Sequence, residues 1–462
     1  MHYVARSLTP ILLLALGACG TRAAPVTAEV PGAMTYHLTF DAGLRTVEVR
    51  ADFGATAPAR IRIQDESVVT RAIAQPSGTQ LEWVDGRATL PPGTITLTYG
   101  IDLGRARRRD AQIDTDGILV DPSLLLARPS GGPARHLRAR VHVPDGHHVA
   151  VPWAPTKNGY RIPRSTFQMR GWMAVGTFTP IVCRVGETEI VCAPMGPLRA
   201  SPEELARCLR DAAAVALPLA AEHAPRRVLV ILRPTPRSTD AIAFGETLYG
   251  GGATLSLLVG ANAPGSAFAG EWVTVHEMSH LALPRVRRAD AWFSEGLATY
   301  FQNVLRSRAE MLEEQEAWAE FVAGAARGRR GAERNRTSLY DESAQMGARH
   351  AFMRVYWSGA AIALLWDVAL RRDHGRTLDD ALRHAAAEFP PSGEPVAAAR
   401  VMARMDAWVG EPLFTRIAER WLAESAFPDV APTLAWLGVS DPLDGSAPGA
   451  DVRRAISSAI AR

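Results

Sequence analysis

Two neighbouring stretches decide the reading of this chain: His276-Glu277-Met278-Ser279-His280, and Trp292-Phe293-Ser294-Glu295-Gly296-Leu297-Ala298-Thr299-Tyr300. On a helix, residues four apart share a face, so the imidazoles of His276 and His280 can meet a single ion. Two neutral imidazoles suit zinc, and a carboxylate between them can act as general base on an activated water. Glu277 has that position. A catalytic zinc needs a third protein ligand and one open position. Glu295, with fourteen residues between it and His280, is the natural third ligand, and one zinc per chain is expected. The five-residue pattern also arises by chance on surface helices. Here Trp272, Val273, Val275, Leu281 and Leu283 flank it, which makes the helix a buried one. Unpaired polar groups in such a helix are costly, and a metal would satisfy them.

The second stretch reads as a helix that Asp290 could cap. Phe293, Leu297, Tyr300, Phe301, Val304 and Leu305 mark one face. Glu295 lies off that stripe and is free to point elsewhere, as a ligand should.

The 462 residues suggest two or three domains. Apolar and charged fractions are ordinary for a globular protein, and the net charge is only +3. Lys157 is the sole lysine; the densest basic cluster is Arg327, Arg329, Arg330, Arg334 and Arg336. No aromatic residues interleave it, so it reads as a solvated loop and no nucleic-acid partner is expected.

At the start of the chain, Arg6 precedes an apolar run from Leu8 to Leu16, too short for a permanent membrane span but suited to a signal peptide over residues 1–18. Its ending, Leu16-Gly17-Ala18-Cys19, resembles the lipobox of bacterial lipoproteins. By that resemblance Cys19 becomes lipidated, residues 19–33 form a tether, and the protein sits as a lipoprotein in the bacterial cell envelope, at the outer membrane facing the periplasm or exported. The alternative is an ordinary secreted protein cleaved nearby. Cys183 and Cys192 flank a hairpin-like segment, and in an oxidising compartment a disulfide between them is expected. Cys208 reads as a small buried residue on a helix.

Residues 34–197 alternate with period two between turn signals, as in Tyr36-Leu38-Phe40, Val47-Val49-Ala51 and Ile95-Leu97-Tyr99-Ile101. This predicts an antiparallel β-sandwich domain. At Ser201-Pro202-Glu203-Glu204 the pattern changes to a helix start with a capping box. Val228 to Leu232 predicts a buried strand. Gly250, Gly251 and Gly252 allow close backbone approach and are tentative substrate-binding residues, whereas the absence of a following Walker lysine excludes a phosphate loop. The chain from 198 to 390 predicts an α/β catalytic domain, and 391–462 a helical C-terminal region. The whole is α+β and multidomain.

The two stretches together resemble the gluzincin signature. Tyr356-Trp357-Ser358-Gly359-Ala360-Ala361, continuing to Arg371, with Leu378-Asp379-Asp380-Ala381-Leu382, is similar to the corresponding part of the glycyl aminopeptidase family; membrane alanyl aminopeptidases are more distant relatives. The resemblance implies a thermolysin-like catalytic domain, zinc held by His276, His280 and Glu295, Glu277 as base, Tyr356 as hydrogen-bond donor to the tetrahedral oxyanion, and Thr299 as a hydroxyl behind the ligands. It implies a zinc metallopeptidase with peptide or protein substrates. Enzymes of this group bind the substrate amine through a glutamate on a glycine-rich segment. Gly250-Gly251-Gly252-Ala253 carries no carboxylate and Glu246 precedes it, so N-terminally blocked peptides are expected to be tolerated. The rival reading is an envelope binding protein that keeps the zinc as a structural element; an intact Glu277 argues against it.

Overall fold

The computed structural model describes residues 33–54, 57–130, 136–236, 238 and 240–458. The signal peptide, Cys19 and nearly all of the tether lie outside the described residues.

The N-terminal region is a multi-sheet β unit. Its largest sheet has eight strands. Met34–Phe40 lies at its centre, antiparallel to Thr46–Asp52 and parallel to Leu137–His142. A four-stranded and a three-stranded sheet complete the layer. The alternation places Tyr36, Leu38, Val47, Val49, Leu97 and Tyr99 in the core. The hydroxyls of Tyr36 and Tyr99 donate to the carbonyls of Ala127 and Leu125, each at 2.7 Å, so these phenols are buried without loss. Ile95 is 59% exposed, because the strand begins one residue later at Thr96. The expected N-terminal β domain is there; its described strands form three sheets, and Met34–Phe40 pairs in parallel with Leu137–His142. Alternation tells which face a strand buries; it does not give the direction of its neighbour.

The next unit is built on a five-stranded sheet. Its order is Ile181–Val185, Thr188–Pro194, Arg227–Thr235, Ala253–Gly260 and, at the edge, Ile242–Leu248. The first two strands, grouped by sequence with the N-terminal domain, belong to this sheet instead. Thr188–Pro194 runs parallel to Arg227–Thr235, and parallel pairing needs a crossover, supplied by the helix Pro202–Ala216. That helix starts as its sequence dictates: Glu204 N donates to Ser201 Oγ, and Ser201 N donates to Glu204 Oε2 at 2.8 Å. The edge strand Ile242–Leu248 is antiparallel to Ala253–Gly260, and its outer side has no partner strand in the sheet.

In this sheet Cys192 pairs with Ile181, and Cys183 with Ile190. The two cysteines are thus out of register, and both are buried free thiols, as is Cys208. The expected Cys183–Cys192 disulfide is absent. A hairpin of eight intervening residues fixes proximity but not which residues face each other.

Helices complete the fold. Trp272–His280 carries the two histidines, and Ala291–Arg308 carries Glu295. Phe352–Ala369 crosses the latter so closely that Gly296 and Gly359 touch backbone to backbone: a methyl on Gly359 would strike the carbonyl oxygen of Trp292 and the Cα of Gly296. Arg327, Arg329, Arg330 and Arg334 are helical, within Glu314–Asn335, with Arg336 at its left-handed C-cap, so the segment is not the loop its composition suggests. Asp290 precedes Ala291–Arg308 but does not cap it; its carboxylate accepts from Ala398 N at 3.1 Å. The C-terminal region is helical as expected. It is tied back through Arg354, which is fully buried, faces the Glu342 carboxylate at 3.3 Å and donates to the carbonyls of Ser425 and Ala426. Among the described residues no helix is long and apolar enough to cross a membrane.

Candidate metal centre

The ligand geometry follows from two helices. His276 and His280, one turn apart, present Nε2 atoms that each lie 3.4 Å from Glu295 Oε2. The three donor atoms fall within 4.8 Å of one another, a set of a size to hold one ion. His276 is buried and His280 nearly so. Trp272, expected to be buried, is 47% exposed at the mouth of the site.

The surroundings fix these groups. His276 Nδ1 lies 2.9 Å from Gln302 Oε1, which makes Nδ1 the protonated nitrogen and leaves Nε2 free to ligate. Gln302 follows Glu295 by seven residues on one helix, so both face the histidines. Sequence reasoning missed it, although the seven-residue spacing carried the signal. Thr299 does not fill this role: its buried hydroxyl has no hydrogen-bond partner among the described residues. A threonine hydroxyl is too short to reach where the longer amide does. His280 is anchored through its carbonyl, which accepts from the Tyr249 hydroxyl at 2.8 Å.

The donor set suits zinc in charge as well as in shape. Burial opposes the charge of Glu295, yet His280 and His276 hold its carboxyl well below the usual range. Burial alone would lower the His280 imidazole, but Glu295, by charge and hydrogen bond, and Glu277 lift it to about 9. The cluster therefore favours positive charge at its centre, and a divalent ion would supply it.

Glu277 stands outside the ligand set. Its Oε2 lies 2.8 Å from the Thr247 hydroxyl, on the edge strand. Gly245, two residues earlier, is pressed against Glu277 so that a side chain there would strike the carboxylate. Across the cleft the Tyr356 ring stacks on His276 at 6.0 Å between centroids. Burial, then the charges of Glu295 and Glu277, push the Tyr356 phenol well above its ordinary value, so it remains a donor. Glu277 and Tyr356 thus flank the candidate donor set.

Two cavities meet at this point. One, of about 570 Å³, is lined by His276, Glu277, Thr299, Gln302 and Tyr356 and reaches Arg327. The other, of about 360 Å³, is lined by Glu246, Tyr249, Glu277, His280, Glu295 and Tyr356. Gly250, Gly251 and Gly252 border neither. They form the turn after the edge strand and pack on Arg170, Trp153 and Pro152 of the β unit. The backbone they admit is that of the neighbouring unit, and Gly251 and Gly252 line a separate cavity of about 340 Å³ with Tyr249 and Leu281. The residue that borders the metal cleft is Glu246.

In fold and in its donor set the chain resembles zinc metallopeptidases. Residues 283–363 match the family model of the M61 glycyl aminopeptidases, a stretch that includes Glu295 and Tyr356. In fold the chain is similar to an aminopeptidase N family protein from Idiomarina loihiensis, with a TM-score of 0.69 and 15% identity over 88% of this chain and 78% of that one. It is also similar to an M1 zinc metallopeptidase from Deinococcus radiodurans, with a TM-score of 0.53 and 17% identity over 86% of this chain and 93% of that one. A variant of that enzyme, E323A, has been seen with a Tyr-Ser-Ala substrate at a TM-score of 0.53, 17% identity and coverage of 86% and 94%. No curated protein matches the sequence.

Proposed function

We propose that the chain hydrolyses peptide bonds next to a free amino terminus, using one zinc held by His276, His280 and Glu295, and that Cys19 anchors it by lipid to the bacterial envelope. The observation that carries the catalytic reading is the placement of Glu277: a carboxylate in the cleft, beside the donor set but not in it, held by Thr247.

Zinc, when bound, supplies Lewis acidity that polarises a carbonyl and eases loss of a proton from water. Glu277 takes that proton and returns it to the leaving amine. Tyr356 donates a hydrogen bond where negative charge develops on the carbonyl oxygen. The edge strand Ile242–Leu248 offers an unpaired side along which an extended peptide can add. Glu246 on that strand borders the smaller cavity, at 3.9 Å from Arg170, and its carboxylate suits a substrate ammonium. An amine site at Glu246 would favour free over blocked peptides, against the expectation drawn from the glycine segment. The anchor rests on Leu16-Gly17-Ala18-Cys19 alone.

The deciding variant is Glu277→Gln. Nearly equal in size, it should keep zinc and melting temperature and lose turnover by about a hundredfold to ten-thousandfold. A Glu277→Gln protein as active as wild type would refute the base. Equal hydrolysis of acetylated and free peptides would refute the amine site. Wild-type protein recovered without a lipid on Cys19 would refute the anchor.

A further inference from the structure

The larger cavity ends at Arg327, a cation with no carboxylate partner among the described residues. The helix Glu314–Asn335 lines it with Glu320, Ala323 and Arg327, spaced by three and four residues and hence on one face. Glu320 is already paired, at 3.1 Å from Arg306. Arg327 has no ion pair or side-chain hydrogen bond among the described residues; its guanidinium lies over the Trp357 ring, 5.2 Å from the centroid. A guanidinium stacked on an aromatic face keeps its in-plane N–H groups available, and their fork matches a carboxylate. Between the zinc ligands and this cation the walls include Phe244, Trp272, Val273 and Met353. Phe244, Trp272 and Met353 are among the most exposed large apolar side chains of the protein, at 56%, 47% and 43%. An apolar passage thus leads from the reaction centre to one free positive charge.

We propose that Arg327 receives the C-terminal carboxylate of a short peptide substrate, whose apolar leaving-side residue occupies the passage. The inference rests on the peptidase reading above and adds a substrate class: peptides of a few residues, held at the amine by Glu246 and at the carboxylate by Arg327. The opposite charges of the two ends set the direction in which the peptide lies. Longer chains lack a carboxylate at that distance and forgo the contact.

The test compares tripeptides with apolar residues as free acids and as C-terminal amides. Wild type should prefer the acid by about tenfold to a hundredfold in kcat/KM, mostly through KM, as a charge-assisted contact requires. In Arg327→Gln the acid-to-amide ratio should fall towards one. Arg327→Lys should restore part of it, because the charge returns without the fork. Wild type cutting acid and amide alike, or Arg327→Gln keeping the preference, overturns the assignment while leaving the peptidase reading in place. A preference for an internal acidic side chain over the free terminus also overturns it. If neither form is cut, the peptidase reading falls and this inference with it.

Discussion

Replacing Gly359 by alanine puts one methyl group into the contact between the helices Ala291–Arg308 and Phe352–Ala369. It would meet the Trp292 carbonyl oxygen and the Gly296 Cα, both backbone atoms that cannot rotate away. Ordinary carbon contacts need roughly 3.5–4.0 Å, so the helices must part by about 1 Å or more. Overpacking of this kind costs about 1–3 kcal/mol, and the upper end applies where backbone meets backbone. At roughly 2–4 °C per kcal/mol, the melting temperature should fall by about 6–12 °C. Tyr356 lies one turn before Gly359 and Glu295 lies next to Gly296, so the same movement draws the phenol away from the ligands. A misplacement of about 1 Å can cost about a hundredfold in rate. The loss that acts through the phenol cannot exceed what the phenol contributes, about a hundredfold to a thousandfold. Kinetics at saturating zinc should therefore show Gly359→Ala and Tyr356→Phe each lowering kcat, and the double variant no slower than the worse single one. A Gly359→Ala protein that melts with wild type would refute the packing argument. Losses that multiply in the double variant would refute the route through Tyr356.

Gln302→Leu removes the acceptor at His276 Nδ1 and should weaken zinc affinity about tenfold to a hundredfold, measured by competition with a chromophoric chelator; unchanged affinity would mean the amide does not orient the ring. Chelation of wild type should abolish hydrolysis, and added zinc should restore it; activity that survives complete zinc removal would contradict the ligand assignment. Denatured but unreduced protein should show both Cys183 and Cys192 alkylated on mass spectrometry; a peptide pair linked through them would contradict the register of their hairpin.

The candidate donor set was legible because its chemistry is local: one helical turn joins His276 to His280, and Glu295 opens the next helix. Tyr356 was reached only through family resemblance, since nothing within its own segment points to the metal. The glycines draw attention as sites of close approach, while Glu246 on the strand before them borders the metal cleft. Gly250 to Gly252 do admit another backbone, but it belongs to the β unit. The strands Ile181–Val185 and Thr188–Pro194 were assigned to the wrong sheet for a related reason. Alternation is intrinsic to a strand, whereas its partner is settled by residues far away, here Arg227–Thr235. Arg327 looked like one charge among several solvated ones. Only the helix face that carries it, and its lack of a partner, set it apart.

Arg354 lies two residues before Tyr356, and it reaches the carbonyls of Ser425 and Ala426 from the start of the same helix. The helix that carries Tyr356 is therefore braced by chain that lies well past the segment matching the family model. No fragment ending near residue 390 would keep that brace: it would hold His276, Glu277, His280, Glu295 and Tyr356, yet strip the buried Arg354 guanidinium of the Ser425 and Ala426 carbonyls at the foot of the tyrosine's helix. The C-terminal helices, remote from the metal in sequence, set the smallest length of chain on which this active site can be built.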